Sequence, residues 1–194
     1  RETMIEDLIR KNRSCRRFYQ NRPLEPDLLK DLVNLARLSA SGANRQPLVY
    51  ILSSAPSVNE EIFACLGWAG YLKDWPGPEE GERPAAYIII LGDTQVSSDF
   101  GVDHGIAAQS MLLGAREIGL AGCMIATINR RRIRKIFDLD NRYEVLLAIA
   151  LGEPRETVVI EAVPSDGDIR YWRDEKNVHH VPKRDLKDII HQTR

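Results

Sequence analysis

Four short segments of this 194-residue chain hold residue types whose spacing can do chemistry. Arg13-Ser14-Cys15-Arg16-Arg17 sets arginines around a serine just past a short amphipathic stretch. Guanidinium forks fit phosphate oxygens and the hydroxyl adds a donor, so Arg13, Ser14 and Arg16 can converge on one anion. Taken alone, the run is equally a solvated basic segment. Ser39-Ala40-Ser41-Gly42-Ala43-Asn44-Arg45-Gln46-Pro47 is rich in small residues, which let a planar ligand approach the backbone. Asn44 and Gln46 each offer a donor and an acceptor, suited to an amide-like ring edge. By itself this is also an ordinary helix-to-strand connection. Gly119 to Thr127 places glycines before a strand, which points to close backbone approach. It lacks the G-x-G-x-x-G spacing of a dinucleotide fingerprint and the GK[ST] of a phosphate loop. Val181-Pro182-Lys183-Arg184 puts a cationic pair near the far end, in isolation a pair of exposed charges.

Other chemistries lack their signatures. His104, His179, His180 and His191 show no HExxH spacing, and adjacent His179 and His180 point apart on any regular element. Cys15, Cys65 and Cys123 are odd in number, far apart and without CxxC, which argues against a disulfide framework, a zinc site or an iron–sulfur cluster. No GxSxG elbow or Cys–His nucleophile pattern stands out. Lys plus Arg is 27 against 28 Asp plus Glu, so the basic excess of a nucleic-acid binder is missing. The one local basic run, Arg130 to Lys135, has no interleaved aromatics and is followed by Asp138 and Asp140. No apolar run approaches the ~20 residues a membrane-spanning helix needs. The charged start, Arg1-Glu2-Thr3-Met4, does not resemble a secretory leader, and reduced structural thiols in a cytoplasmic protein are expected.

The elements that must position these segments are legible in the hydrophobic pattern. Thr3-Met4-Ile5-Glu6 is a capping box for a helix over 4–11. Pro26 opens a second helix whose apolar face is Leu28, Leu29, Leu32, Val33, Leu35 and Ala36. Residues 48–52 predict a strand, and Ser57 to Glu60 a capping box for a helix to about Leu66. Residues 67–84 carry three prolines, four glycines and two tryptophans, a long aromatic loop of the kind that forms lids. Residues 85–91 form a buried strand by their unbroken aliphatic run. Residues 99–119 give the longest helix, with Gly105, Ala107, Ala108 and Gly114 allowing close contact. A strand at 122–128, a helix from Asn129 through Phe137 and a core strand at 145–151 follow. Residues 158–163 predict a strand and 185–192 a short last helix. Alternating strands and helices without a dividing linker predict a single α/β or α+β domain over 1–194. The tail after Pro154 carries few core-type residues and is expected to pack across another surface, such as a second subunit.

In joint order, R-S-x-R, S-x-S-x-x-N-x-Q-P, P-A-A-Y-I-I-I-L-G-D, I-G-L-A-G-C-M-I, A-L-G-E-P and a closing basic pair resemble the nitroreductase family of flavin enzymes. The similarity runs from about Ile5 to Ile190. The branch with a Gly-Trp-Ala-Gly-Tyr lid at 67–71 and a final V-P-K-R is most similar. The resemblance implies a three-layer α+β fold, with a mixed, mostly antiparallel central sheet flanked by helices. It implies a homodimer with FMN at the interface and a C-terminal extension, about 155–194, swapped onto the partner.

Carried over by motif, Arg13, Ser14 and Arg16 would meet FMN, Arg13 near the phosphate and ribityl end and Arg16 near N1 and O2. Ser41, Gly42 and Asn44, with Gln46, match the stretch that reaches the flavin from the other subunit. Ala126 and Thr127 match the strand whose backbone N–H groups approach N5 and O4. Lys183 and Arg184 match a C-terminal phosphate clamp. Trp68, Tyr71 and Trp75 of the lid would shape an acceptor pocket, or else pack as ordinary hydrophobic residues. Two positions depart from the family pattern: Ala40 where Pro is common, and Ala126 where an acid sometimes stands. The implied activity is an FMN-dependent oxidoreductase. It takes hydride from NADH or NADPH and reduces nitroaromatics, quinones or similar electron-poor molecules by a ping-pong cycle. The flavin carries the chemistry, so no protein catalytic residue and no metal is required. The alternatives are another flavin reaction on the same fold, such as dehalogenation, ene-type reduction or dehydrogenation, and a non-catalytic flavin-binding module.

Overall fold

The computed structural model describes residues 3–193; Arg1, Glu2 and Arg194, the ends of the expected domain, lie outside the described residues. Thr3 caps α1 (Met4–Lys11), its hydroxyl accepting the Glu6 N–H at 3.2 Å. Glu6 does not complete the capping box; it pairs with Arg10, one turn on, at 3.0 Å. Pro26 starts α2 (Pro26–Leu38), which buries Leu29, Leu32 and Ala36. A single 3₁₀ turn at Gly42–Asn44 leads to β1 (Leu48–Ser53).

The next helix, α3 (Pro56–Phe63), differs from expectation. Pro56 begins it, with Ala55 before it and no side-chain cap. Proline fits the first helical position because its missing N–H has no partner there anyway. Asn59 lies inside the helix and is buried. Its side chain donates to the Ala85 carbonyl at 2.8 Å and accepts the Ser53 hydroxyl at 2.7 Å, tying the helix to β1 and to the start of the next strand.

Residues 67–84 form turns and loop as expected, ending in β2 (Ala86–Asp93), buried along its whole length. Then come α4 (Asp103–Glu117), β3 (Ala121–Ile125), α5 (Arg130–Ile136) and β4 (Tyr143–Gly152). Asn129 caps α5 by accepting the Arg132 N–H. The central sheet runs β1-β2-β4-β3, every neighbour antiparallel.

Strand alternation splits the core between the two faces of this sheet. Ala86, Ile88 and Ile90 of β2 pack with α2 and α4, alongside Leu147, Ile149 and Leu151 of β4. Tyr87, Ile89 and Leu91 pack on the opposite face with Ile62 and Ile133, beside Ala148 and Ala150. The register shifts between Ile90 and Leu91, opposite Leu147 and Val145, so Leu146 is the extra residue of a bulge. Helices on both sides of an antiparallel sheet make the three-layer α+β architecture that the sequence implies.

The tail has a sheet of its own. Residues after Pro154 build a second sheet, β5-β7-β6, from β5 (Val158–Ala162), β6 (Trp172–Arg173) and β7 (His179–Lys183). β5 and β7 are parallel. This sheet leans on its own chain through polar links: Arg155 N–H donates to the Arg17 carbonyl at 2.9 Å, and Arg173 pairs with the enclosed Glu156 at 3.0 Å. Apolar periodicity is silent about such attachment. The final helix is shorter than expected, α6 (Leu186–Ile189), and its apolar side chains are exposed.

Candidate functional site

Residues 13–18 cross the edge of the central sheet beside β3. Ser14 bridges Gly122 in parallel, and the Cys15 N–H donates to the Gly122 carbonyl at 2.9 Å. Position 122 has no room for a side chain: a Cβ there would lie 2.5 Å from the Ala150 carbonyl oxygen. Phe18 is fully buried and anchors the far end of the segment. Arg16 therefore stands over the end of β3.

A cavity of about 260 Å³ opens there, lined by Arg16, Gly67, Trp68, Ala69, Gly70 and residues 123–127. No carboxylate lines it. Lid and strand touch directly, the Gly67 N–H donating to the Thr127 carbonyl at 2.9 Å. A Cβ on Gly67 would come within 2.6 Å of the Thr127 side chain. Trp68 packs on Phe63 with ring centroids 5.6 Å apart.

Arg16 and Arg17 are neighbours with opposite fates. Arg17 is neutralised by a fork onto Glu82, with bonds of 2.5 and 2.6 Å. That hydrogen bonding, first of all, pulls the Glu82 carboxyl below its usual range. The Arg16 guanidinium has no ion pair among the described residues. Its Nη1 sits 3.2 Å from His179 Nε2, and its guanidinium carbon lies 4.8 Å from the Tyr171 ring centroid. Tyr171 also packs on Tyr71, 4.9 Å between centroids, and its hydroxyl accepts the Tyr71 N–H at 3.3 Å. Burial pushes the Cys15 thiol up to about 12 and raises Cys123 as well, so neither is a thiolate nucleophile near neutral pH. All three cysteines are buried and free.

The remaining expected site residues lie elsewhere on this chain. Ser41 and Gln46 line a separate cavity of about 180 Å³ with Tyr50 and Asp103. Asp103, at the start of α4, is buried; it accepts the Ser41 hydroxyl at 2.6 Å and the Gly42 N–H at 2.9 Å. Ser41 Oγ in turn accepts the Gln46 N–H at 2.9 Å. These bonds hold a loop in which Ala43, Asn44 and Gln46 all have positive φ, 51°, 53° and 53°. Such non-glycine conformations persist only when their surroundings over-determine them.

Arg13 lies in a third cavity of about 480 Å³, shared with Arg10, Lys11, Arg116, Asp7 and Glu156. Its Nη2 donates to the Ile9 carbonyl at 2.8 Å, and its Nε is buried without a partner. Lys183 ends β7 and is exposed; Arg184 donates to the Asp188 carbonyl beside a fourth cavity. Trp75 lies against Arg173, 4.6 Å from ring centroid to guanidinium carbon, rather than lining the Arg16 cavity. The chain thus gathers Arg16, Trp68, Ala126 and Thr127, with the Ser14 carbonyl 3.5 Å from Arg16 Nη1, ties Tyr71 to them through Tyr171, and keeps the other candidates apart. Asp103, Glu156, Tyr171 and His179 were not marked by sequence reasoning. An acid at a helix start is commonplace, and a histidine doublet has no motif.

An antiparallel sheet between two helical layers, with a cationic, acid-free cavity at the end of its edge strand, defines an α+β protein of nitroreductase-like class. Residues 9–153 match the Nitroreductase family model, and the chain belongs to that family. It is 22% identical over 184 residues to YodC of Bacillus subtilis (strain 168), provisionally named an NAD(P)H nitroreductase. That match covers 76% of this chain and 88% of YodC. Solved structures share the fold. One from Parabacteroides distasonis ATCC 8503, provisionally an NADH dehydrogenase/NAD(P)H nitroreductase, matches with TM-score 0.70 and 21% identity over 100% of both chains. The NADPH:FMN oxidoreductase of Vibrio harveyi, solved with NAD+, matches with TM-score 0.64 and 20% identity, covering 82% of this chain and 73% of that one. No helix among the described residues is long and apolar enough to cross a membrane.

Proposed function

We propose that this chain, an NAD(P)H-dependent flavin oxidoreductase by family, holds FMN in the Arg16 cavity and uses it to reduce small electron-poor acceptors such as nitroaromatics or quinones. The observation that carries this reading is the unpaired Arg16 guanidinium facing an acid-free cavity walled by Trp68 and the 123–127 backbone. Such a wall fits a planar ring whose edge gains negative charge. Bound FMN would supply two-electron chemistry, accepting hydride from NADH or NADPH and passing the electrons on.

The chain's own residues set the conditions. Arg16 favours negative charge at the ring edge it faces. Trp68 walls the acceptor side, and the Gly67–Thr127 contact ties the lid loop to the residues that follow β3. Arg13, whose buried Nε has no partner among the described residues, would take the phosphate end, in a cavity where Arg10, Lys11 and Arg116 stand with Asp7 and Glu156. Ala126 supplies no acid.

A second copy of the chain completes the site in this reading. Ser41, Asn44, Gln46, Lys183 and Arg184 then reach the partner's flavin. Support comes from apolar side chains left exposed on α1, α2 and α4: Met4, Ile5, Ile9, Leu35, Leu38 and Ile106. The fold-back of residues 155–180 leaves the stretch beyond Lys183 to wrap the partner.

The test is an absorption spectrum of the purified protein, with heat release and chromatography of the chromophore. Released FMN that NADH or NADPH bleaches before release supports the reading. A protein that takes up neither FMN nor FAD on reconstitution overturns it. Arg13→Ala and Arg184→Ala are each expected to weaken FMN binding about 10- to 100-fold, since a charge-assisted hydrogen bond contributes roughly 1.5–3 kcal/mol. Unchanged flavin occupancy on dialysis would remove those residues from the site.

A further inference from the structure

His179 is 1% exposed and sits on the inward face of β7. Its Nε2 lies 3.2 Å from Arg16 Nη1. A guanidinium can only donate, so Nε2 must be the acceptor and the ring proton must sit on Nδ1. That Nδ1 is buried without a partner among the described residues, so the Nε2–Arg16 contact is the ring's one hydrogen bond. Tyr171 closes the arrangement, its ring 4.8 Å from the Arg16 guanidinium carbon and 5.2 Å from the His179 ring.

His179, Tyr171 and the Ser14 carbonyl, 3.5 Å from Nη1, are all neutral partners of the Arg16 guanidinium. Nearby acids are occupied elsewhere: Glu156 accepts the Arg16 backbone N–H and pairs with Arg173, while Glu82 is taken by Arg17. A carboxylate in place of His179 would hold the guanidinium as firmly but cancel its field at the cavity. A neutral acceptor fixes direction and leaves the charge whole. Burial, with Arg16 and Arg173 nearby, depresses His179 to about 4, so the ring stays neutral at physiological pH.

We propose that His179 is a positioning residue for Arg16, aiming the guanidinium at the bound cofactor without neutralising it. This rests on the FMN reading above. It predicts that reduced FMN owes part of its affinity to the His179 Nε2 contact. The discriminating pair is His179→Gln against His179→Asn. A glutamine amide places an oxygen where Nε2 stands; an asparagine amide is equally polar but too short to reach Arg16.

In reconstituted holoprotein, the ratio of reduced- to oxidised-FMN affinity, read as the two-electron reduction potential of bound FMN, should fall about tenfold in His179→Asn. That corresponds to roughly 30 mV. It should stay within about threefold of wild type in His179→Gln. A role in packing alone would weaken both redox forms equally and leave the potential unmoved. If His179→Asn does not fold, Tyr171→Leu, which removes the ring over the guanidinium from the half-buried outer segment, should lower the potential in the same direction. Equal potentials in wild type and all folded variants would overturn the proposal, as would an equal drop in the Asn and Gln variants. Failure of the wild type to bind FMN would overturn the FMN reading itself, before any variant is compared.

Discussion

The two sheets of this protein are held by different forces. The central sheet, β1-β2-β4-β3, is insulated on both faces, and β2 exposes none of its eight residues. The C-terminal sheet, β5-β7-β6, has few buried apolar side chains and is fixed by Glu156, Arg173, Arg155 and the His179–Arg16 contact. Burial is non-directional and cooperative over many side chains. Charged hydrogen bonds are few and directional, so the second sheet can aim one guanidinium but lends little bulk stability. The protein thus builds a rigid platform from aliphatics and adjusts a charge with a polar attachment.

The largest expected effect falls on the platform. Ile89 is fully buried between β2 and the α3–α5 layer. Ile89→Ala should cost about 2–5 kcal/mol in global stability, measured as a lowered midpoint in urea. A loss confined to the C-terminal sheet would break the comparison.

Glu156→Gln should cost about 1.5–3 kcal/mol, because Arg173 loses a charged acceptor. The change should show in hydrogen exchange as lost amide protection at residues 155–180, with β2 and β4 unchanged. Equal loss in both sheets would mean that they unfold as one unit.

The loop at 41–46 belongs with the polar mode of construction although it abuts the platform. Asp103→Ala strands the Gly42 N–H and the Ser41 hydroxyl, at about 1–3 kcal/mol. The positive-φ loop should then become a site of limited proteolysis, and FMN affinity should fall along with it. A loop as resistant as wild type would show that Asp103 does not hold it.

The smallest effect separates the two faces of β7. His180, on the outer face, stacks on Trp172 at 4.0 Å and meets Glu161 at 2.9 Å and Asp174 at 3.4 Å. Burial opposes its charge, but the two carboxylates win and its pKa is raised. Its stabilising contribution is therefore full below the unfolded value of ~6.5 and is lost as pH rises through the higher folded value. His179 has the opposite sign. With a folded pKa near 4, it withdraws stability as pH falls from the unfolded 6.5 toward 4, because the unfolded chain binds the proton first. Proton NMR titration should find one ring above the ordinary range and one far below it. Two rings titrating together would erase the distinction between faces.

Much of this was legible in the chain. The aliphatic run at 85–91, the Leu-rich face of 26–38, the cap at Asn129 and the loop at 67–84 state their structures locally. The R-S-x-R, S-x-S-x-x-N and V-P-K-R segments carry side chains suited to anion and amide recognition, but each by itself also reads as an ordinary polar surface or connection. The start of α3 departs from its pattern because Pro56 outweighs a capping sequence one residue on. Of the tail's second sheet only the β5 stretch was legible; β6 and β7 are short and polar, and β5 finds β7 across 21 positions, from Val158 to His179.

The layers, the family and the cationic segments follow from the amino-acid order, since periodicity and side-chain type are local properties. Which arginine's charge is left uncompensated depends on the folded arrangement alone. Arg16 and Arg17 are adjacent and identical in kind. One meets Glu82 and the other meets His179, 163 positions away, and electrostatics depends on that distance through space rather than along the chain.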